Sequence, residues 1–190
     1  LSSFKQELWE WTKAIVLGLL VVMIIRMFLF TNYAVSGESM MPILQDHDKV
    51  IVSKISYKLG DIDRLDVLVF HMNEKDDYVK RVIGIPGDII TYENDQLYVN
   101  KKLVDEPFLR NHPAFNNPNE NLTEDFTLES ITGSLRVPKD SYFVLGDNRR
   151  QSLDSRYFKF VDADQIVGQV VLRYWPLPNL TINFMSAHPE

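Results

Sequence analysis

Tyr78-Val79-Lys80-Arg81-Val82-Ile83-Gly84 is a run of β-branched and aromatic residues closing on glycine, and it reads as a strand that carries two adjacent cations. Side chains alternate along a strand, so Lys80 and Arg81 are expected on opposite faces, one buried and the other paired with carboxylates. The same texture recurs on both sides. Residues 49–56, 66–71, 88–93, 96–100, 141–145 and 166–174 are rich in Val, Ile, Tyr and Phe and are separated by Gly, Pro, Asn and Asp, with Asn94-Asp95 as a turn between two of them. No helical period of useful length recurs after Thr31, which predicts a mainly β fold with one sheet-rich core.

The chain has 190 residues, 45% hydrophobic and 24% charged, with no cysteine. These values exclude a disordered chain, a disulfide-stapled miniprotein and any thiolate metal or nucleophile site. Lys and Arg number 20 against 26 for Asp and Glu, and a net charge of −6 argues against nucleic acid as a partner. The length suits one domain with an exposed insertion at about residues 95–137. Its composition shifts most clearly over 105–134, where His112-Pro113, Asn116-Asn117-Pro118-Asn119 and Asn121 lie among acidic residues. No internal repeat is visible. Asn121-Leu122-Thr123 and Asn179-Leu180-Thr181 match the glycosylation sequon only as a short pattern.

Residues 14–25 form an unbroken apolar run, and Met27-Phe28-Leu29-Phe30 extends it past Arg26. As a helix, residues 14–30 rise about 26 Å, close to the hydrocarbon thickness of a bilayer once Arg26 snorkels to an edge. Trp9 and Trp11 stand where interfacial rings anchor, Lys5 and Lys13 precede the run, and no Lys or Arg occurs between Met27 and Asp48. The expectation is a single membrane anchor within residues 1–30, an N-terminus in the cytoplasm and a domain of residues 31–190 outside. A cleaved secretory signal ending near Ala34-Val35-Ser36 is the competing reading, and Arg26 with the bulky residues after it is poor material for one. The chain opens at Leu1 with no methionine, and a longer cytoplasmic tail is expected. Three cations against two carboxylates before residue 31 leave −7 on the remainder.

Among chemistries, elimination is informative. His47, His71, His112 and His188 show no metal-ligand spacing, and neither a GxSxG elbow nor a phosphate-binding loop is present, so no metal or cofactor is expected. What remains is Ser39 in the Gly-led turn Gly37-Glu38-Ser39-Met40-Met41-Pro42 and Lys80 in its apolar strand. A serine hydroxyl is a weak nucleophile until a base takes its proton. Lowering a lysine pKa from about 10.4 to about 8 costs roughly 3 kcal/mol, which burial against Val79, Val82 and Ile83 can supply. Taken singly, Ser39 reads as a turn residue and Lys80 as a solvated strand charge. A catalytic reading needs the hydroxyl and the amine within about 3 Å, whereas a tethered binding domain would leave them apart.

Five stretches in their order and spacing resemble the type I signal peptidases. They are the N-terminal apolar segment, Gly37-Glu38-Ser39-Met40-Met41-Pro42, Asp66-Val67-Leu68-Val69-Phe70, Lys80-Arg81-Val82-Ile83-Gly84-Ile85-Pro86-Gly87-Asp88, and Gly146-Asp147-Asn148-Arg149-Arg150-Gln151-Ser152-Leu153-Asp154-Ser155-Arg156. The short insertion and single anchor resemble the Gram-positive branch. The resemblance implies a signal-peptidase-like or LexA-like β catalytic core with a small β-rich insertion. It also implies a membrane-bound serine endopeptidase that removes signal peptides from exported preproteins, in contact with the secretion machinery. Ser39 would be the nucleophile and Lys80 the general base. Ser152 would orient the lysine amine, and Asp154 with Arg156 and Arg81 would form a salt-bridged support. Asp147 and Asn148 are expected to shape the loop and bond backbone, and Arg149, Arg150 and Asp164 to be surface charges.

The family lays its substrate as an extended strand and requires small residues at −1 and −3, and Tyr33, Val35, Met40, Leu44 and Val79 match its pocket positions; ordinary core packing competes for each. The Ser39 N–H is the natural oxyanion donor, and Gly37 stands where some members carry a second, hydroxyl donor. Leu65 and Lys159 stand where the family has glycine, which predicts altered loops there. Trp175-Pro176-Leu177-Pro178 reads as a buried terminal cluster, with an apolar lip dipping into the bilayer as its alternative. A self-cleaving protease of the SOS repressor type shares the dyad chemistry, but there is no room for a DNA-binding domain before Ser39.

Overall fold

The computed structural model describes residues 2–55, 62–110 and 121–182. The expected insertion residues 111–120, which include His112, and the segment with His188 lie outside the described residues. The chain opens with α1 (Ser2–Leu29), followed by β1 (Phe30–Ala34), β2 (Lys49–Ser53), β3 (Val67–His71) and β4 (Asp77–Gly84). Next come β5 (Ile90–Glu93), β6 (Gln96–Val99), β7 (Lys102–Val104), β8 (Phe126–Thr127) and the single-turn α2 (Leu128–Thr132). The last elements are β9 (Ser141–Leu145), α3 (Ser155–Phe158), β10 (Val161–Asp162), β11 (Ile166–Trp175) and β12 (Thr181–Ile182).

Eight strands form one antiparallel sheet in the order β1-β2-β11-β3-β4-β9-β10, with β12 beside β11. Four more form a second sheet, β7-β6-β5-β8, that begins at Ile90. Strand β3 shows why the period-2 pattern suffices: Val67 and Val69 pack with Val50, Val52 and Val170, while Leu68 and Phe70 pack with Val82, Val144 and Ile166. A third cluster joins the sheets, with Ile83, Phe143 and Leu145 against Ile90, Tyr92, Leu97 and Phe126. Both hairpin turns of the second sheet have two residues at positive φ, Asn94 and Asp95 at 52° and 60° and Asn100 and Lys101 at 52° and 67°. That is the twist-matching geometry of a two-residue hairpin.

Several expectations are corrected. Phe30 begins β1 and is not the end of the helix, which closes at Leu29. The anchor expected within residues 1–30 corresponds to a helix, α1, and no helix among the described residues is by itself long and apolar enough to cross a membrane. The described side chains of α1 include Lys5, Glu7, Glu10 and Lys13, and Arg26 falls among side chains outside the described set. Leu65 and Lys159, at family glycine positions, hold positive φ of 72° and 73°. Those turns therefore keep a glycine-type backbone despite their side chains. Trp175 and Leu177 are 50% and 66% exposed, so the expected buried terminal cluster does not form.

Candidate active site

The serine sits in a turn held from both ends. Gly37 adopts φ 88°, a conformation that favours glycine, and its N–H donates to Asp46 Oδ1 at 2.8 Å. Met40, 1% exposed, roots the far side of the turn in the core beside Val35 and Leu44. From across the molecule the Asn148 N–H donates to Ser39 O at 3.0 Å and Asn148 Nδ2 donates to Glu38 O at 3.1 Å. The serine backbone is thus fixed by a loop more than a hundred residues away in sequence.

Lys80 reaches this serine from β4. Its Nζ lies 2.7 Å from Ser39 Oγ and donates to Val79 O at 3.1 Å. The residue is 3% exposed. Burial lowers its pKa to about 8, against the opposing pull of the Asp154 and Asp147 carboxylates. A substantial fraction of the amine is therefore neutral near pH 8, as a general base requires.

The loop from Gly146 to Arg156 packs beneath. A Cβ on Gly146 would stand 2.2 Å from Ser152 Oγ and 2.4 Å from Ser39 O, so only glycine lets this backbone touch both serines. Ser152 Oγ is buried and has no hydrogen-bond partner among the described residues, the lysine amine included. Asp154, fully buried, accepts from the Gly146 N–H at 3.1 Å and from Arg156 Nε and Nη2, each at 2.8 Å. Arg81 does not join that pair. It is held by Asp147 through Nε at 2.8 Å and Nη2 at 2.7 Å, donates to Leu65 O, and lies over the Phe108 ring. Asp147 thus has a charge-pairing role that loop chemistry alone did not suggest.

Arg149 corrects the sequence reading. Expected at the surface, it is 1% exposed and donates to Glu106, to the Tyr92 hydroxyl and to Thr123 Oγ1. Its partners are distant in sequence, and no local pattern marks it. Arg150 and Asp164 are exposed as expected.

A cleft of about 480 Å³ opens over the serine, and Tyr33, Val35, Met40, Val79 and Lys80 line it. Leu44 does not; it is fully buried beneath Val35 and Met40. Glu38, Asp76 and Asp77 stand among the cleft's polar residues. Tyr33 donates to Asp77 Oδ2 at 2.8 Å, and the other Asp77 oxygen is 2.5 Å from His71 Nδ1. Burial and this carboxylate push the Tyr33 pKa up to about 12, so the phenol stays a donor at working pH. A second groove of about 520 Å³, lined by Met23, Phe30, Thr31, Asn32, Ile51, Val171 and Leu172, holds no titratable side chain among the described residues. Among the described residues no group of three or more His, Asp or Glu is arranged to hold a metal ion.

Residues 8–175 match the family described as signal peptidase, peptidase S26. Signal peptidase I of Bacillus caldolyticus is 53% identical over 176 residues, 93% of this chain and 94% of that protein. Signal peptidase IB of Staphylococcus aureus is 45% identical over 184 residues, 95% of this chain and 96% of that one. A crystal structure of a signal peptidase I from Enterococcus faecalis is 42% identical and superposes with a TM-score of 0.55, covering 58% of this chain and 97% of its own. With its family match spanning most of its length, the chain belongs to the S26 signal peptidases, and within them to the bacterial type I serine endopeptidases.

Proposed function

We propose that this enzyme removes signal peptides from exported preproteins with Ser39 as nucleophile and Lys80 as the base of both half-reactions. The observation that carries the reading is a buried lysine amine, with its pKa lowered to about 8, lying 2.7 Å from a serine hydroxyl at the floor of an open cleft. Neutral Lys80 takes the hydroxyl proton as Ser39 Oγ attacks the scissile carbonyl, and the Ser39 N–H receives the developing oxyanion. The ammonium then protonates the leaving amine. Lys80, neutral again, takes a proton from the water that hydrolyses the acyl-enzyme. Gly37 offers no side-chain hydroxyl as a second donor, and its N–H is already engaged by Asp46.

The cleft runs between β1 and the start of β4, where an extended peptide adds as a strand and main-chain bonds supply affinity without reading sequence. Tyr33, Val35, Met40 and Val79 fill space along it, which favours small side chains at −1 and −3. Leu44 acts from behind that wall. α1 is the membrane anchor, with its N-terminus cytoplasmic and the β domain outside. Leu17, Leu19, Val22 and Met23 are 60% exposed or more, an apolar surface that lipid would cover. Signal peptides, the bilayer and the secretion machinery are the partners of this reading. The self-cleaving and binding-domain alternatives are less well supported, given a match to signal peptidases over nearly the whole chain.

The test is preprotein cleavage in detergent. Ser39→Ala and Lys80→Ala are expected to abolish turnover while keeping the thermal unfolding transition, and Lys80→Arg to be equally inactive because guanidinium keeps its proton. Turnover in any of the three refutes the dyad.

A further inference from the structure

The loop that braces the dyad is itself gripped from behind by the second sheet, through one buried cation. Arg149 Nε donates to Gly146 O at 3.1 Å, and its Nη atoms reach Glu106, Tyr92 on β5 and Thr123. The Tyr92 hydroxyl donates to the second oxygen of Glu106, and Asp95 holds Thr123 in place by accepting its N–H at 2.6 Å. On the dyad side of the same short segment lie the Gly146 backbone, against Ser39 O and Ser152, and Asn148, hydrogen-bonded to Ser39 O and Glu38 O. Arg156 Nη2 donates to Arg149 O at 2.6 Å and ties in the Asp154 pair.

Burying a guanidinium, a carboxylate and a phenol together carries a large desolvation cost that such clusters often fail to return as stability, and fixed geometry is the best-attested use of them. Among the described residues none of the second sheet lines the cleft; that sheet meets the first through the apolar cluster of Ile83, Phe143 and Leu145, and its hydrogen bonds to the dyad-bracing loop run through this clamp. We propose that Arg149, gripped by Glu106, Tyr92 and Thr123, is a positioning residue that locks the 146–149 backbone and thereby sets where Ser39 stands relative to Lys80. The second sheet is then the buttress of the catalytic dyad. This rests on the dyad reading above.

Tyr92→Phe tests it, because the ring and its stacking on Phe126 stay while the hydroxyl that links Arg149 to Glu106 is lost. Thr123→Val, isosteric and milder, serves if Tyr92→Phe does not fold. Each is expected to lower kcat on a preprotein about tenfold with KM within about twofold, since a small misplacement of reacting atoms acts on the chemical step. A loosened loop also lets water reach Lys80, so the acid limb of kcat/KM moves to higher pH. A core variant of the same sheet outside the clamp, Val99→Ala, is expected to lower the melting temperature and leave the limb in place.

Unchanged kcat and pH limb in both clamp variants overturn the proposal, as does a loss that only tracks the unfolded fraction. Ser39→Ala assayed alongside keeps the two readings apart. Turnover there refutes the dyad itself, whereas an inactive Ser39→Ala beside a clamp variant of full activity refutes only the buttress.

Discussion

With a pKa of about 8 in the folded protein against an ordinary 10.5, Lys80 makes activity and stability depend on pH through one proton. Below about pH 8 the buried amine is protonated in an apolar site, at a cost of about 3 kcal/mol that is relieved as pH rises from 8 toward 10.5. With Lys80 as the proposed base, activity follows its neutral fraction, and kcat/KM should fall roughly tenfold per pH unit on the acid side of that midpoint. Asp147 and Asp154 hold the Lys80 pKa up against burial. Asp147→Asn removes one of these charges, and with it the carboxylate that pairs with the neighbouring Arg81 guanidinium, and both changes disfavour the ammonium. The acid limb of a profile from about pH 6 to about pH 10 is expected to move lower, opposite to the direction expected for Tyr92→Phe. A limb that stays fixed or moves up would mean that Asp147 acts on the loop and not on the charge of Lys80. The approach of Lys80 to Ser39, 2.7 Å in the structure, was legible only once the motifs resembled a family: singly, Ser39 reads as a turn residue and Lys80 as a solvated strand charge. Arg149 was not legible, because its partners Glu106, Tyr92 and Thr123 are 43, 57 and 26 residues away and a lone arginine in a polar loop looks solvated.

At the scale of elements, the strands were readable where β-branched residues alternate and turns punctuate them. Residues 141–145 match β9 end to end, and Asn94-Asp95 makes the expected hairpin turn. Strand β1 was hidden because Phe30 continues the apolar run of α1, and its half-exposed alternation over five residues is too short to break that pattern. The second hairpin turn, Asn100-Lys101, was missed because lysine is not a turn-forming residue and Asn100 reads as the end of the strand before it. Lys159 is a different case, since its side chain contradicts its backbone. It closes α3 with φ 73° and ψ −84°, a region that L-residues occupy only under strain, and the side chain is exposed. Lys159→Gly should therefore stabilise the protein by about 1 kcal/mol, raising the melting temperature by about 2–4 °C. Leu65 shares the positive φ but is buried in the cluster that joins the two sheets, so Leu65→Gly would lose apolar packing that offsets the relief. A melting temperature lowered by Lys159→Gly would show that the lysine makes a compensating contact.

On the scale of the whole molecule, the sequence combines two materials that a single average conceals. Residues 31–190 carry −7 around a β core, whereas α1 turns Trp9, Trp11 and a line of aliphatic side chains outward with no protein surface over them. Such a helix left in water would expose far more contiguous apolar area than a soluble domain tolerates, and the described part of it, with charges at Lys5, Glu7, Glu10 and Lys13, falls short of a bilayer span on its own. The anchor reading consequently rests on the run from Ala14 onward, and it is there that two charges act most strongly. Leu19→Asp with Leu20→Asp places two carboxylates near the middle of that run, at an insertion cost of about 3 kcal/mol each. The unaltered chain should remain with membranes after alkaline carbonate extraction, and the double variant should pass into the supernatant while still cleaving a preprotein in detergent, because Ser39, Lys80 and the two sheets are built without α1. Retention of the double variant would place the membrane contact elsewhere on the domain. Release with loss of detergent activity would mean that the helix helps shape the cleft through β1, the strand it leads into and from which Tyr33 projects toward Asp77.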